Sequence, residues 1–309
     1  MLTTPRDKQP YGDGEMLFKC FEWLPVDSRD VGPTSFLSAE MGKRPFWRSG
    51  RRVGPPLSGV EDWAVPGINS SGMRRFGCCR SRDVFRIDAC EGMAKAILGP
   101  TEFEIWSELR TPGRRRRQWL LGRLCAKKAV CRIVRPPRDP GWRFSDIEIL
   151  PDNYGRPVVW PPSDYRPNGF LSVSIAHSEH IVAAIAGVDD GCLALGIDVE
   201  PIYRDYKLLE SGALRPSERL LLCEQGRETR SEWVVRLWCA KEALAKAIGL
   251  GMIGGPLSFV VDDLEAISGR VMLSLEGKPL KRRQELRGRS FCVLTGRDKE
   301  IVYASAVLD

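Results

Sequence analysis

An α+β fold built from a duplicated unit is the fold class this sequence predicts, and three observations predict it. Short segments of the middle of the chain recur, in the same order, toward its end. Two stretches carry the apolar period of helices packed on one face. Each copy closes on a partly alternating apolar run that reads as a half-buried antiparallel hairpin.

Four echoes define the unit. Val84-Phe-Arg-Ile-Asp-Ala-Cys-Glu91 and Leu195-Gly-Ile-Asp-Val-Glu200 both place Ile-Asp in a short apolar run. Leu124-Cys-Ala-Lys-Lys-Ala129 is echoed by Trp238-Cys-Ala-Lys-Glu-Ala243, and Tyr154-Gly-Arg-Pro157 by Glu276-Gly-Lys-Pro279. Residues 171–184 are echoed by 290–304. The unit therefore runs strand, helices, Gly-basic-Pro turn, hairpin. Its copies span 83–187 and 188–309, joined by the turn Val188-Asp-Asp-Gly191. Residues 1–82 are rich in Pro, Gly, Arg and Trp and show no sustained period. They read as a poorly ordered extension with short packed pieces around Trp23, Trp47 and Trp63.

The helices follow from spacing. Over Arg117–Val130, Leu120, Leu121, Leu124, Cys125 and Val130 share a face bordered by Arg117, Arg123, Lys127 and Lys128. In the second copy Val234, Leu237, Trp238, Leu244, Ala245 and Ile248 form the apolar face, and Gly249 is placed to stop the helix.

Composition sets the bounds. The chain has 309 residues, 43% hydrophobic and 28% charged, as a soluble globular protein does. No apolar run is long enough to span a bilayer and Met1–Tyr11 is polar, so a cytoplasmic location without membrane attachment is expected. Ten scattered cysteines form no Cys-x-x-Cys pair, which points to free thiols and disfavours structural zinc. A net charge of +7 favours nucleic acid, a phosphorylated ligand or an acidic protein as partner. Walker, dinucleotide-binding and Gly-x-Ser-x-Gly signatures do not occur.

Some residues could carry chemistry. Asp198 and Glu200, two apart, point to one side of a strand about 6.6 Å apart. Two carboxylates so placed repel unless a cation such as Mg²⁺ sits between them; the plain alternative is a solvated strand end before Pro201. Glu242 and Lys246 form an i,i+4 pair, commonly a surface pair, but here beside Trp238 and Leu244. His177 lies at a hairpin tip, either simply exposed or a contact for phosphate. The run Arg114–Arg117 is a solvated charge run, a nucleic-acid contact or a phosphate contact; without exposed aromatics, nucleic acid is disfavoured.

These residues resemble a known family. Gly196-Ile-Asp-Val-Glu200, Trp238-Cys-Ala-Lys-Glu-Ala-Leu-Ala-Lys246 and Ser174-Ile-Ala-His-Ser178 are similar to the motifs of the 4′-phosphopantetheinyl transferases, in their large two-half, surfactin-synthetase-activating type. Arg117–Lys127 and Gly155-Arg-Pro157 add to the resemblance, which covers about residues 98–309. It implies a pseudo-twofold α+β fold, two similar subdomains each with an antiparallel sheet packed against helices, with coenzyme A and Mg²⁺ between them. The activity implied is transfer of the phosphopantetheine arm to a serine of an acidic acyl or peptidyl carrier protein, releasing adenosine 3′,5′-bisphosphate, by a monomer with an internal pseudo-dimer. By motif, Asp198, Glu200 and Glu242 would hold the metal. Glu242, Lys246 and Asp198 would be catalytic, Glu242 as base and Lys246 as stabiliser of pyrophosphate charge. His177, Arg117, Lys127, Arg156 and Lys246 would contact coenzyme A. Val199, apolar between the two carboxylates, would leave part of the coordination to water. A silent carrier-binding scaffold and a basic nucleic-acid-binding protein are the competing readings.

Overall fold

The computed structural model describes residues 60–65, 68, 75–82, 91–110, 113–134, 143–162, 169–189, 194–202, 205–225 and 229–308. Strands β1 (Val60–Asp62) and β2 (Arg75–Arg82) come first, then helices α1 (Glu91–Ile97), α2 (Pro100–Glu108) and α3 (Gly113–Val134). The pair β3 (Glu148–Pro151) and β4 (Pro157–Trp160) and the hairpin β5 (Phe170–His177) and β6 (Ile181–Asp189) follow. The order then recurs: β7 (Ala194–Pro201), helices α4 (Tyr206–Ala213), α5 (Pro216–Leu221) and α6 (Arg230–Ala247), and the pair β8 (Phe259–Glu265) and β9 (Arg270–Leu275). A short helix α7 (Lys278–Arg282) precedes the last hairpin, β10 (Phe291–Asp298) and β11 (Ile301–Leu308).

Two antiparallel sheets result, ordered β1-β2-β6-β5 and β7-β11-β10-β9-β8, with β3-β4 as a separate pair. The chain is thus α+β, as its pattern predicts. Period-two alternation distributes the side chains. On β6, Val182, Ala184, Ala186 and Val188 join a cluster with Leu120, Leu121, Leu124 and Val130 of α3. Ile181, Ala183 and Ile185 point the other way and meet Leu195, Ile197 and Val199 of β7 and Tyr303 of β11. Helix α6 covers β7 and β11 of the second sheet.

Three expectations change. β2 lies inside the stretch assigned to a loose extension, yet it pairs along its full length with β6, from Arg75↔Val188 to Arg82↔Ile181. Trp63 is buried edge-on to Tyr303, with ring centroids 5.0 Å apart, and Arg80 lies over its ring at 5.1 Å. The poor periodicity of this segment had concealed it, because Gly, Cys and Arg alternate there instead of large apolar residues. Secondly, the counterpart of β7 is β2. β7 pairs with β11 through Asp198↔Ala304 and Glu200↔Val302, while β2 pairs with β6 through Cys79↔Ala184 and Ser81↔Val182. The first copy thus holds Cys and Ser where the second holds carboxylates. The segment Val84–Cys90 lies outside the described residues, as do Trp23, Trp47 and the middle of the predicted turn at 188–191.

Thirdly, the Gly-basic-Pro echo is out of register. Gly155, at φ 81°, sits in the β3–β4 turn, and its equivalent is Gly269, at φ 72°, in the β8–β9 turn. Gly277-Lys278-Pro279 instead follows β9 and opens α7.

A correspondence between copies that the sequence did not disclose lies in the core. Glu102, at the third position of α2, accepts from Gly99 N at 3.0 Å and from Ile149 N of β3 at 3.0 Å, and pairs with Lys127. Glu218, at the third position of α5, accepts from Arg215 N at 2.8 Å and Val261 N of β8 at 2.8 Å, and pairs with Lys241 at 2.7 Å. Each lysine also donates to a backbone carbonyl, Ile97 O at 2.7 Å and Ala213 O at 2.8 Å. All four side chains are fully buried. Such pairs hold a helix start, a long helix and a strand together, because breaking one strands a charge in the core.

Candidate active site

The site forms where α6 lies closest to β7, and glycine makes that approach possible. A Cβ on Gly196 would stand 1.8 Å from Ala243 O and 2.9 Å from Ala247 N. The helix backbone therefore rests directly on the strand. Asp198 and Glu200 share the face of Gly196 and so look toward α6. Val199 faces the opposite way, into the cluster with Trp63 and Tyr303. It takes no part in the carboxylate face, so the departure noted at that position concerns packing and not coordination.

On this floor stand the motif residues of α6. Lys246 Nζ donates to Asp198 Oδ1 at 2.8 Å and to Ile197 O at 3.0 Å. Burial pulls its pKa down, but the charges of Asp198 and Glu242 outweigh this and leave it above the ordinary lysine value. Asp198, Glu200 and Glu242 are 6%, 3% and 6% exposed, so all three carboxylates are buried beside one ammonium. Asp198 Oδ2 is buried and, among the described residues, has no nitrogen or oxygen hydrogen-bond partner. Beneath them the Cys239 thiol has a pKa raised well above the usual value, first by burial and then by Asp198 and Glu200. It is a neutral spacer.

The first copy supplies the other wall through the β5–β6 turn. Ser178 Oγ donates to Glu200 Oε2 at 2.7 Å, and Ser174 Oγ accepts from Ile197 N at 3.1 Å. Gln118 Nε2 of α3 donates to Ser178 O at 2.8 Å, fixing the turn against the helix. His177 keeps an exposed edge while protein crowds its inner side. That loss of water, followed by the charges of Lys246, Arg115 and Arg114, lowers its pKa from the ordinary 6.5 to about 4. His177 is accordingly neutral at pH 7.

The remaining candidates are distributed differently from expectation. Lys127 is fully buried and engaged by Glu102 and Ile97 O, so it cannot present its ammonium to a ligand; this corrects its assignment to coenzyme A. Its place at the border of the apolar face leaves inside or outside open, and its partner Glu102 comes from another helix. Lys128, which in the echoed segments holds the place of Glu242, donates to Val60 O at 2.6 Å. Arg117 is partly exposed on the first turns of α3. Arg156 pairs with Asp152 at 2.7 Å and lies over Gly249, where a Cβ would meet its Cδ at 2.5 Å. The β3–β4 turn thus meets the end of α6. Gln118 is a site neighbour the sequence does not point to; Arg114 and Arg115 belong to the run offered as a phosphate contact, and Ser178 to the hairpin motif, but the turn that gathers them is tertiary.

The donor set suits a hard divalent cation. Three carboxylates supply oxygen ligands of the kind Mg²⁺ takes, and the bare Asp198 Oδ2 is a buried acceptor lacking a partner. Among the described residues, no three acidic, histidine or cysteine side chains already converge as a finished metal cage. The carboxylates fit the ion as a partial set, to be completed by ligand and water oxygens.

Comparison with known proteins bears on the same elements. The model of the 4′-phosphopantetheinyl transferase superfamily matches residues 194–295, from β7 into β10. Holo-[acyl-carrier-protein] synthase from Geobacter sulfurreducens is 32% identical over 119 residues, covering 37% of this chain and 94% of that protein. The synthase from Shewanella amazonensis is 32% identical over 124 residues, covering 38% of this chain and 97% of that protein. A crystal structure of the Bacillus anthracis synthase in complex with CoA (3′,5′-ADP) is similar over 38% of this chain and 96% of that one, at 23% identity and a TM-score of 0.33. Since such relatives align along almost their entire length, and the family model spans the strand and helix that build the acidic site, this chain belongs to the 4′-phosphopantetheinyl transferase superfamily.

Proposed function

We propose that this chain transfers the 4′-phosphopantetheine arm of coenzyme A to a serine hydroxyl of an apo acyl or peptidyl carrier protein. The reaction is Mg²⁺-dependent and releases adenosine 3′,5′-bisphosphate. One observation carries this reading: Asp198 is held by Lys246 through one oxygen and leaves the other bare, beside Glu200 and Glu242. A lysine and a half-satisfied carboxylate set are what a pyrophosphate and its metal require.

Asp198, Glu200 and Glu242 would hold the ion, which when bound neutralises charge on the pyrophosphate. Lys246, cationic at any working pH, stabilises the charge that develops as the phosphate–oxygen bond to the leaving nucleotide breaks. Glu242 takes the proton from the carrier serine as its oxygen bonds to phosphorus. Neutral His177 acts as a hydrogen-bond donor to a phosphate oxygen rather than as a cation. Arg117 and Arg156 serve the coenzyme A phosphates; Arg114 and Arg115, whose charges reach His177, take the place first given to Lys127. The copies at either side of the site act as halves of one monomer, and a net charge of +7 draws an acidic carrier. Free thiols suit a reducing, cytoplasmic setting.

The test is a mass measurement. Apo carrier, coenzyme A and Mg²⁺ should yield carrier heavier by one phosphopantetheine, and Asp198→Ala should abolish it. Failure on fatty-acid, polyketide and peptide carriers alike, with coenzyme A binding absent, would overturn the reading.

A further inference from the structure

We infer that the excursion between β9 and β10, residues 278–289, is the surface on which an acidic carrier protein docks, an inference that rests on the transfer activity proposed above. Lys278, Lys281, Arg282 and Arg287 are all exposed there. Among the described residues, no carboxylate pairs with any of the four. Several arginines elsewhere in the second copy are matched, Arg230 with Glu210, Arg215 with Glu276 and Arg297 with Glu232, whereas the exposed Lys207 and Lys299 stand singly and not in a cluster. These like charges of the excursion repel one another, and its one carboxylate, Glu285, is engaged by Arg283. An acidic partner would relieve that repulsion.

The excursion is a fixed platform. Pro279 and Leu286 are buried under it, and Arg289 lies 5.8 Å from the ring centroid of Phe291. Arg283 Nη1 donates to Ile248 O at 3.4 Å, which anchors the platform to the end of α6. Lys246 lies two residues before Ile248, about 3 Å along the helix axis. The excursion is therefore tied to the C-terminal end of the helix that carries Lys246. An apolar point is provided as well. Leu257 is 44% exposed, and Arg215 ties its carbonyl to Glu276 at the edge of the platform. An exposed leucine rimmed by cations fits an acidic protein surface with an apolar centre.

Other polyanions fit less well. Residues 276–290 contain no aromatic side chain on which bases could stack. The five residues of α7 turn their apolar side inward, so no apolar face is left to enter a bilayer.

The test compares the parent with Lys281→Glu/Arg282→Glu/Arg287→Glu, none of which touches the acidic site. With apo carrier, coenzyme A and Mg²⁺, KM for the carrier should rise about tenfold, the size expected from losing three exposed ion pairs together. KM for coenzyme A and kcat should stay as in the parent, and the salt dependence of the carrier KM should flatten. The triple Gln variant should show a smaller rise in the same direction, and serves if charge reversal prevents folding. An unchanged carrier KM in a folded variant, with the parent active, overturns the docking surface. So does loss of retention on duplex DNA or phosphatidylserine vesicles with the carrier KM unmoved. A parent that transfers to no carrier fails the functional reading itself, and is told apart because it needs no variant.

Discussion

Asp198 is the residue on which the electrostatics of the site turn. One oxygen pairs with Lys246 and, among the described residues, the other has no nitrogen or oxygen hydrogen-bond partner, so on the proposed function the same carboxylate would serve both the lysine and the ion. Replacing Lys246 by Met should lower kcat about 100-fold or more while coenzyme A still binds, the cost typical of removing a preorganised charge-stabilising donor. Single-turnover assays with carrier in excess check this. His177 gives a pH signature. Its folded pKa of about 4 lies below the ordinary 6.5, so as pH falls the unfolded chain takes up the proton first. Stability should decline from about pH 6.5 to about pH 4 on this account, and His177→Gln should reduce that slope in melting temperature against pH. Bound phosphate reverses the local charge, so the NMR titration of His177 should move upward when coenzyme A is added. Asp198, Glu200, Glu242, Lys246 and His177 were all legible as a set in the sequence. Lys127 was misread, because an amphipathic pattern does not say whether a lysine at the border of its apolar face lies outside or inside.

Among the elements, the contact of α6 with β7 decides whether the site exists. Gly196 lets the helix backbone rest on the strand, and Gly196→Ala must push them apart, since the new Cβ would overlap Ala243 O. The expected loss is about 3 kcal/mol or more in urea unfolding, with Asp198 drawn away from Lys246 and transfer impaired in whatever remains folded. The glycine was quoted in the motif but only the packing explains it. The buried pairs Glu102–Lys127 and Glu218–Lys241 act at this scale too. Lys127→Met leaves Glu102 buried without its cation and should cost about 3–5 kcal/mol, whereas KM for coenzyme A should not move. A raised KM with unchanged stability would restore Lys127 to the ligand site. Sequence reading aligned the two lysines through their Cys-Ala-Lys contexts, yet it could not see that each meets the third residue of another helix.

For the whole molecule, the consequence is that the first sheet begins earlier than the repeat suggested. β2 lies between β1 and β6, so a chain starting at residue 83 would lose a central strand, expose the edge of β6 and uncover the cluster that includes Tyr303. Such a chain should lose cooperative thermal unfolding and aggregate; a sharp transition near that of the parent would show that β2 is dispensable. The two copies are also unequal in a way that suits a divided site. The strand position of Asp198 is Cys79 in the first copy, and that of Glu200 is Ser81, so of these two strands β7 alone carries the carboxylate pair. The first contributes a turn, through His177 and Ser178, and helix-borne arginines. The net charge of +7 and the exposed cations at 278–289 are what the proposed docking of an acidic carrier rests on.

Fold class, the repetition of strand, helices and hairpin, and the acidic pair, lysine and histidine of the candidate site can be read along the chain. They can because apolar period and motif spacing are local properties of the chain. The register of that repeat, the membership of β2, the inward turn of Lys127 and Val199, and the meeting of Ser178 with Glu200 come from packing between elements. Those depend on which face of each element is covered, and by what. For Asp198-Val-Glu200, strand pairing and the close approach of α6 make one face a charged site and the other a hydrophobic core.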